Sequence, residues 1–209
     1  MDAAVCFSGG KDSALAALVL DEFYDVTLVT ATFGVTDDVD HARSAADALG
    51  FPFATVDLDR AVAEAAVDRM LADGFPRNGI QQVHQHAVEV VAAGGESDAV
   101  GSPDARWDAV ADGTRRDDRV PKLDTAAAQS LEDRLGVDYL APLAGIGRDA
   151  IDAMVADHLD VETGPSETLA KADYESELRA LIAEREGQAA VDEIFPAHTQ
   201  SRVVGWLDR

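Results

Sequence analysis

Hydrophobic runs alternate with amphipathic stretches over the first three quarters of the chain. Short apolar runs predict buried strands at 3–7, 26–33, 53–58, 107–111 and 137–141. Between them, apolar positions recur at helical spacing, which predicts helices at 13–22, 39–49, 60–72, 80–92 and 126–135. Strands that alternate with helices form parallel sheets, whose buried strands are continuously apolar, as these runs nearly are. The pattern therefore predicts an α/β fold with a mostly parallel sheet.

The pattern changes after residue 150. Two further helical patterns occupy 150–158 and 172–186, and an apolar run follows at 202–207. We predict one domain of residues 1–155, followed by a small C-terminal helical extension, residues 156–209, that packs on the same domain. Residues 94–106 combine Gly, Ser, Pro and Asp without periodicity, which predicts an exposed insertion loop within the first domain.

The chain of 209 residues is strongly acidic, with a formal net charge of −23 from 40 acids and 17 bases. The acids are spread along the chain, so they favour a halophilic acidic surface that is solvated at high salt. The alternative is an acidic surface made for a basic partner. Because salt adaptation would conceal the charge signature of a nucleic-acid-binding protein, only local clusters of basic residues remain informative.

Neither a secretory signal nor a membrane anchor is expected from the sequence. Acidic residues interrupt every apolar run in the first 30 residues, and no stretch approaches the roughly 18–20 uncharged residues of a membrane helix. The single cysteine, Cys6, excludes an internal disulfide and a metal site built from cysteines. We therefore expect a cytoplasmic protein without membrane contact.

The strongest chemical signal lies between the first strand and the first helix, in Phe7-Ser8-Gly9-Gly10-Lys11-Asp12-Ser13. The two glycines allow a tight turn that exposes backbone N–H groups, and the helix that follows adds the positive end of its dipole. The serines add hydroxyl donors, Lys11 adds a positive charge, and Asp12 offers a carboxylate for Mg²⁺. This combination predicts an anion site for phosphate rather than an ordinary capped turn. The spacing matches neither a Walker A loop nor the dinucleotide-binding pattern Gly-x-Gly-x-x-Gly.

This segment resembles the PP-loop, Ser-Gly-Gly-x-Asp-Ser, of the N-type ATP pyrophosphatases. The later segment Asp112-Gly113-Thr114-Arg115-Arg116-Asp117-Asp118-Arg119 resembles the Gly-(Thr/His)-x-x-Asp-Asp stretch that follows the fourth strand in that superfamily. Ala141-Pro142-Leu143, with Arg148 and Ile151, is similar to a stretch of PP-loop enzymes that modify tRNA, such as the lysidine synthetases. Over nearly its whole length, the chain resembles a small group of archaeal PP-loop ATPases described as a predicted tRNA-thiolation subunit. The resemblance implies a Rossmann-like three-layer sandwich whose mostly parallel five-stranded sheet carries the PP-loop after its first strand.

In that superfamily an oxygen of the substrate attacks the α-phosphorus of ATP and pyrophosphate leaves. Ammonia, an amine or a sulfur donor then displaces AMP from the adenylate. The resemblance therefore implies an adenylating enzyme that uses ATP and Mg²⁺ to amidate, aminate or thiolate its substrate, which we expect to be a tRNA base or else a small-molecule acceptor. Two alternatives stay open: a regulatory module that binds ATP or AMP without turnover, and an ATPase subunit of a larger modification complex.

The resemblance also assigns roles to residues. The predicted catalytic residues are Lys11, Asp12, Arg115 and Arg116. The predicted nucleotide-binding residues are Ser8, Gly9, Gly10, Lys11, Asp12, Ser13, Thr32, Phe33, Gly113 and Thr114. Among these, the pair at 32–33 is placed beside the adenosine because it ends the second predicted strand. The predicted Mg²⁺ ligands are Asp12, Asp117 and Asp118.

A cluster of basic residues stands out in this acidic chain, with Arg115, Arg116, Arg119 and Lys122 inside the range 115–122. The cluster predicts contact with a polyanion, either a triphosphate or an RNA backbone. The alternative is internal pairing with the neighbouring aspartates.

Other residues that carry chemistry are interpreted as structural or solvent-facing. His84 and His86 lie two positions apart on a predicted helix and so do not share a face, and Cys6 inside a buried strand is expected to be an inert packing residue. A lone cysteine cannot provide the cysteine pair of sulfur-transferring PP-loop enzymes, so thiolation would need a partner that carries the sulfur, and amide-type chemistry or a subunit role is favoured. A protein partner that donates sulfur or ammonia is therefore one expected partner. A homodimer is also compatible with the sequence. The tail around His198 is a candidate to fold back over the site.

Overall fold

The computed structural model describes residues 1–94, 107–118, 122–166, 168–169 and 171–207. Its strands are β1 (Asp2–Cys6), β2 (Asp25–Thr32), β3 (Phe53–Asp57), β4 (Ala109–Ala111), β5 (Asp138–Leu140), β6 (Leu159–Pro165) and β7 (Thr199–Trp206). Its helices are α1 (Lys11–Leu20), α2 (Val39–Leu49), α3 (Arg60–Asp73), α4 (Arg77–Ala92), α5 (Thr125–Leu135), α6 (Arg148–His158), α7 (Tyr174–Glu186) and α8 (Gln188–Ile194). Within these ranges, no helix has the length and apolar character needed to cross a membrane. Of the predicted insertion at 94–106, all but Gly94 lies outside the described residues.

The first five strands form one parallel sheet in the order β3-β2-β1-β4-β5. At its centre, Ala4 of β1 pairs in register with Thr27 of β2 on one side and Val110 of β4 on the other. The chain runs outward from β1 to β3 and then restarts at β4 on the opposite side. Such a reversal leaves a crevice at the carboxyl ends of the two central strands, where open α/β sheets bind their ligands.

Different helices cover the two faces of this sheet. Val5 and Leu28 pack in one buried cluster with residues of α1, α2 and α6, whereas Ala4 and Val29 pack in another with residues of α4 and α5. Because side chains alternate between the faces of a strand, each strand contributes to both clusters. The predicted fold class, a Rossmann-like three-layer α/β sandwich with a parallel five-stranded sheet, is therefore confirmed.

Several helix boundaries follow from local signals in the sequence. Helix α2 ends at Gly50, whose φ of 81° is the left-handed conformation that glycine adopts without strain. Helix α5 begins after Asp124, whose side chain accepts a hydrogen bond from the backbone N–H of Ala127 at 2.8 Å. The bounds predicted for α2 coincide with those observed.

The C-terminal region contains more than the predicted helices. β6 and β7 form a two-stranded antiparallel sheet, and α8 is an additional helix. The sequence did not reveal β6 because its residues are mostly exposed or half-buried and lack an apolar run, and its partner strand lies about 40 positions away. Helix α7 packs against α3 and α4, and β7 packs against α2. The region therefore adds both helices and strands around the five-stranded sheet.

Candidate functional site

A cavity of about 350 Å³ lies at the carboxyl ends of β1 and β4, where the strand order reverses. Three parts of the chain build its wall. The first two are β1 with the loop after it and the segment after β4; the third is the stretch that precedes α7. The lining residues are Cys6, Phe7, Ser8, Gly10, Lys11, Asp12, Ser13, Ala31, Ile80, His84, Asp112, Gly113, Thr114, Asp118, Lys171, Ala172, Asp173, Tyr174 and Ser201.

The segment at residues 8–13, called the 8–13 loop below, comprises the end of the turn after β1 and the first three residues of α1. Gly9 has a φ of 77°, and its carbonyl oxygen accepts a hydrogen bond from the backbone N–H of Val203 in β7 at 2.8 Å. Gly10 is the N-cap of α1, and no side chain caps this helix start. The N–H groups of the first turn thus remain available to an anion, which the helix dipole also favours.

Gly113 brings the segment after β4 against the start of α1. A Cβ atom at Gly113 would lie 2.7 Å from the backbone nitrogen of Ser13 and 2.8 Å from its Cα. Only glycine therefore permits this approach. The contact joins the 8–13 loop and the segment after β4 into one edge of the cavity.

Lys11 and Asp12 form an ion pair in the first turn of α1. The Nζ of Lys11 lies 2.6 Å from Oδ1 of Asp12 and 3.0 Å from Oδ1 of Asp152 in α6. The side chains of Lys11 and Asp12 are 17% and 29% exposed, respectively, so both remain open to the cavity. A ligand can therefore reach these charges without unfolding the helix.

Arg115 is buried and links the 8–13 loop to the segment after β4. Its Nε lies 3.4 Å from Oδ2 of Asp12 and donates to Oδ1 of Asp118 at 3.1 Å, and its Nη2 also contacts Asp118. Its backbone N–H donates to the same carboxylate at 2.7 Å. Burial alone would lower the pKa of the guanidinium, but the hydrogen bond to Asp118 and the neighbouring negative charges raise this pKa above its ordinary value. Arg115 therefore stays charged between two carboxylates.

Asp112, at the end of β4, is the centre of a buried hydrogen-bond network. The phenol of Tyr139 donates to its Oδ2 at 2.7 Å, and the backbone N–H of Thr114 donates to Oδ1 at 2.9 Å. Nε2 of His84 lies 2.9 Å from Oδ2. Burial would raise the pKa of Asp112, but the hydrogen bonds from His84, Thr114 and Tyr139 and the charge of His84 lower it to about 2. Asp112 is therefore an ionised acceptor.

The ionised Asp112 fixes the ring of His84 at the cavity wall. Because a carboxylate only accepts hydrogen bonds, Nε2 of His84 must carry a proton, and its lone pair is on the other ring nitrogen. Burial and the charge of Asp112 raise the pKa of the nearby Cys6 thiol, so this cysteine stays protonated although it lines the cavity. This environment agrees with the expected inert role of Cys6.

The residues predicted beside the adenosine, Thr32 and Phe33, are hydrogen-bonded to the C-terminal region. The hydroxyl of Thr32 and the backbone N–H of Phe33 both donate to Oε1 of Glu177 at 2.9 Å, and the N–H of Val35 donates to the same oxygen at 3.1 Å. Ala31, one position earlier, is the residue of β2 that lines the cavity. Thr32 and Phe33 thus lie next to the cavity and not in its wall.

The structure brings together most of the residues predicted to form the site. Those in the cavity wall are Ser8, Gly10, Lys11, Asp12, Ser13, Gly113, Thr114 and Asp118. Those outside it are Gly9, Thr32, Phe33, Arg115, Arg116 and Asp117. Among the outer group, Arg116 is exposed and Asp117 lies 4.0 Å from Nε of Arg148. Arg119 falls outside the described residues.

The basic cluster predicted around 115–122 is divided by the fold. Arg115 is paired internally with Asp12 and Asp118, as the alternative to polyanion contact proposed, whereas Arg116 and Lys122 are exposed. No group of three histidine, cysteine or acidic side chains in the described parts of the chain could hold a metal by itself.

The sequence assigned no catalytic or binding role to several cavity residues, among them His84, Asp112 and Lys171. Asp112 and His84 are 28 positions apart, and the packing of α4 against β4 brings them together. No local pattern marks such a contact. The tail does fold back, because Ser201 of β7 lines the cavity, but His198 lies outside the wall.

These features define an α/β protein with a polar cavity at the carboxyl edge of its sheet, where an uncapped helix start and two lysines face the cavity. The "Family of unknown function (DUF7411)" matches residues 1–205, and the chain belongs to this family.

Two matches, one to a curated sequence and one to a solved structure, come from Methanocaldococcus jannaschii. An uncharacterised protein is 38% identical over 206 residues, which cover 98% of this chain and 96% of that relative. A crystal structure, described as that of a predicted subunit of tRNA methyltransferase, matches with a TM-score of 0.86 at 37% identity. This match covers 100% of the present chain and 98% of the other.

Proposed function

We propose that this protein is an ATP-dependent adenylating enzyme of the PP-loop type. The observation that carries the proposal is the 8–13 loop, which presents an uncapped helix start, Lys11 and Asp12 to a cavity where the strand order reverses. An anion of the size of pyrophosphate is the ligand for which such N–H groups and charges are suited.

In the proposed reaction an oxygen of the acceptor attacks the α-phosphorus of ATP. The bond between this phosphorus and the bridging oxygen to the β-phosphate breaks, and pyrophosphate leaves with the electron pair. The N–H groups of the 8–13 loop and the ammonium of Lys11 stabilise the charge that develops on the leaving group. Ammonia, an amine or a sulfur donor then displaces AMP.

Mg²⁺ fits the carboxylates that line the cavity. This ion is usually bound by one or two carboxylates together with phosphate oxygens and water, so a site without a complete protein ligand set is suitable. Asp12 and Asp118 line the cavity and are the residues that would hold Mg²⁺, whereas Asp117 is a weaker candidate because it lies outside the wall. Bound Mg²⁺ would neutralise phosphate charge.

His84 is the residue we assign to proton transfer. Asp112 orients its ring through the contact at Nε2, and the ring lines the same cavity as the 8–13 loop. In the second step, a neutral amine or ammonia must lose a proton as it forms the new bond. His84 would accept that proton.

A tRNA base is the acceptor that the available observations favour. The structural neighbour from M. jannaschii is described as a predicted subunit of a tRNA methyltransferase, and the present chain matches it along its full length. The tRNA substrate and the role as a subunit are proposed from this neighbour. The adenylation chemistry is proposed from the 8–13 loop. The exposed Arg116 is a candidate contact with the RNA backbone.

A subunit role would also explain the missing sulfur chemistry. Cys6 is the single cysteine and its thiol is held protonated, so a sulfur or ammonia donor would have to be a partner protein. We propose the cytoplasm as the site of action, and a surface adapted to high salt as the meaning of the net charge of −23.

The test is exchange of labelled pyrophosphate into ATP, in molar KCl with Mg²⁺ and bulk tRNA. Reversible adenylate formation returns the label to ATP even when no nitrogen or sulfur donor is present. We expect exchange that depends on tRNA and is lost in Asp12→Asn. ATP binding without exchange, with tRNA or with a metabolite pool, would favour the regulatory module or a subunit that needs its partner.

A further inference from the structure

The stretch before α7 places a lysine directly on the 8–13 loop. A Cβ atom at Gly10 would lie 2.9 Å from Cε and 3.2 Å from Nζ of Lys171, so the lysine occupies the space that the glycine leaves free. The side chain of Lys171 is 19% exposed and lines the cavity. The start of α1 therefore meets an ammonium group from a part of the chain 160 positions away.

Hydrogen bonds fix the backbone of this lysine. Its carbonyl oxygen accepts from the N–H of Asp173 at 2.9 Å and from Oγ of Ser176 at 3.3 Å. Asp173 is the N-cap of α7 and accepts from the N–H of Ser176 at 3.0 Å. Lys171 thus projects from a turn that is hydrogen-bonded to the start of α7. Its backbone is already ordered, so less conformational freedom is lost on ligand binding than for a lysine on an unrestrained loop.

The hydrogen-bonding capacity of the ammonium is only partly used. Within the described residues, Nζ of Lys171 forms one ion pair, with Oδ2 of Asp173 at 3.2 Å. An ammonium has three N–H donors, so further acceptors can join. Ser8, whose Oγ also lies near Gly10, offers a hydroxyl to the same space.

The distribution of charge points to an anionic ligand. The chain has three lysines against 40 acids, and two of the three, Lys11 and Lys171, line this cavity. The acidic side chains of the wall are already engaged with basic partners, Asp12 with Lys11 and Arg115, Asp118 with Arg115, Asp112 with His84, and Asp173 with Lys171. Both ammonium groups can therefore face a ligand whose charge is opposite to theirs.

We infer that Lys171 binds the phosphoanhydride part of the nucleotide, together with the 8–13 loop and Lys11. The phosphate site is then built from both ends of the chain, and the region after residue 155 is part of the binding machinery. This inference rests on the proposed function, since it names a further residue for the same ligand. Lys171 is a binding residue, and its role is to place a positive charge beside the β- and γ-phosphates.

Isothermal titration with pyrophosphate, ATP and AMP tests the inference on the full-length protein. The variants are Lys171→Gln, Lys171→Arg and the matched control Lys122→Gln, which removes an exposed lysine outside the cavity wall. We expect Lys171→Gln to weaken pyrophosphate and ATP by roughly tenfold to a hundredfold, the usual range for a lost charge-assisted hydrogen bond. Lys171→Arg should retain most of the affinity, Lys122→Gln should bind as the wild type does, and AMP should be affected least.

A second measurement needs no variant and so avoids any folding defect. A lysine-acetylating reagent is applied to the wild type with and without saturating pyrophosphate, and modification is read at Lys171 and Lys122. Pyrophosphate should protect Lys171 and leave Lys122 unchanged.

The inference is overturned if the wild type binds pyrophosphate while Lys171→Gln retains wild-type affinity, or if Lys171 is not protected. If the wild type binds neither ATP nor pyrophosphate, the proposed function fails, and the role of Lys171 fails with it.

Discussion

The cavity has two walls whose charges are satisfied in different ways. The loop wall consists of the 8–13 loop, Gly113 and Lys171, and the histidine wall consists of His84 and Asp112 with Tyr139 behind them. On the loop wall, the ion pair between Lys11 and Asp12 is partly open to the cavity. On the histidine wall, Asp112 is 2% exposed and has three hydrogen-bond partners.

This difference separates binding from folding. Partly exposed ion pairs contribute little to stability because solvent screens them. Their charged groups can therefore bind a ligand at little cost to the fold. A buried carboxylate with all its partners is part of the core, and its loss leaves donors without an acceptor. Substitution of the charged residues Lys11 and Asp12 on the loop wall should therefore change ligand chemistry, whereas substitution of Asp112 on the histidine wall should change the free energy of unfolding.

The largest expected effect is on turnover, from Asp12→Asn on the loop wall. We expect AMP formation to fall by about a hundredfold or more, while nucleotide affinity falls much less, because metal placement fails and the helix start survives. Product analysis and titration calorimetry measure the two quantities. The control is Asp152→Asn, which removes the other carboxylate near Lys11 and lies outside the wall. Unchanged AMP production in Asp12→Asn would remove this residue from the mechanism.

On the histidine wall, Asp112→Asn should destabilise the fold. We expect a loss of about 2–4 kcal/mol in the free energy of unfolding at neutral pH, because an ionised acceptor is lost from a buried network. Urea denaturation measures it. Asp108→Asn, at an exposed carboxylate that accepts one hydrogen bond from the N–H of Asp2, should stay within about 0.5 kcal/mol of the wild type. Equal free energies of unfolding for the wild type, Asp112→Asn and Asp108→Asn would show that the buried carboxylate on the histidine wall does not stabilise the fold.

The pH dependence of stability sharpens the same comparison. The pKa of Asp112 is lowered to about 2, so the ionised form is favoured by folding. Its contribution is present above the ordinary pKa of an aspartate, near 4, and is lost as the pH falls toward 2. The stabilities of the wild type and Asp112→Asn should therefore converge over this range. A difference that stays constant down to pH 2 would contradict the assignment of an ionised Asp112.

Gly113→Ala tests the contact between the segment after β4 and the loop wall. Its Cβ would meet the backbone of Ser13, so the two segments must separate, at a cost of about 1–3 kcal/mol in stability and with weaker ATP binding. Gly145→Ala is the matched control because no atom lies within 4 Å of its Cβ position. Melting curves and ATP titrations compare the two. If Gly113→Ala matches Gly145→Ala in both measurements, the close approach of Gly113 to Ser13 is needed neither for stability nor for ATP binding.

The smallest effect is expected at Arg116, which lies outside both walls. Arg116→Glu should weaken tRNA binding several-fold and leave ATP affinity unchanged, because an exposed arginine can contact the RNA backbone but not the cavity. Arg134→Glu, at another exposed arginine, is the control. Filter binding with labelled tRNA at several salt concentrations measures the effect. A loss of ATP affinity in Arg116→Glu would place this residue in the site after all.

Local signals made one wall predictable from the sequence. Hydrophobic periodicity predicted the parallel sheet and the place of the 8–13 loop, and the helix predicted at 39–49 has the observed bounds. Gly113 was assigned with the loop, and the structure brings the two together. The catalytic and binding roles given to these residues stay predictions.

The other contacts depend on long-range packing that no short pattern reveals. His84 meets Asp112 only because α4 packs beside β4, and Lys171 reaches Gly10 only because the C-terminal region returns to the sheet. Thr32 lies at the end of a strand, as predicted, but no local pattern indicated that its hydroxyl would donate to the distant Glu177. Charge alone could not decide between polyanion contact and internal pairing, and the fold pairs Arg115 with two carboxylates.

The central claim is that this cavity cleaves ATP between its α- and β-phosphates, and product analysis tests it most directly. The protein is incubated in molar KCl with Mg²⁺, α-labelled ATP and either bulk tRNA or a small-metabolite pool, with Asp12→Asn alongside. We predict that labelled AMP forms with tRNA in the wild type and is absent in Asp12→Asn. Labelled ADP, or no labelled AMP with either pool in the presence of bound ATP, would contradict it.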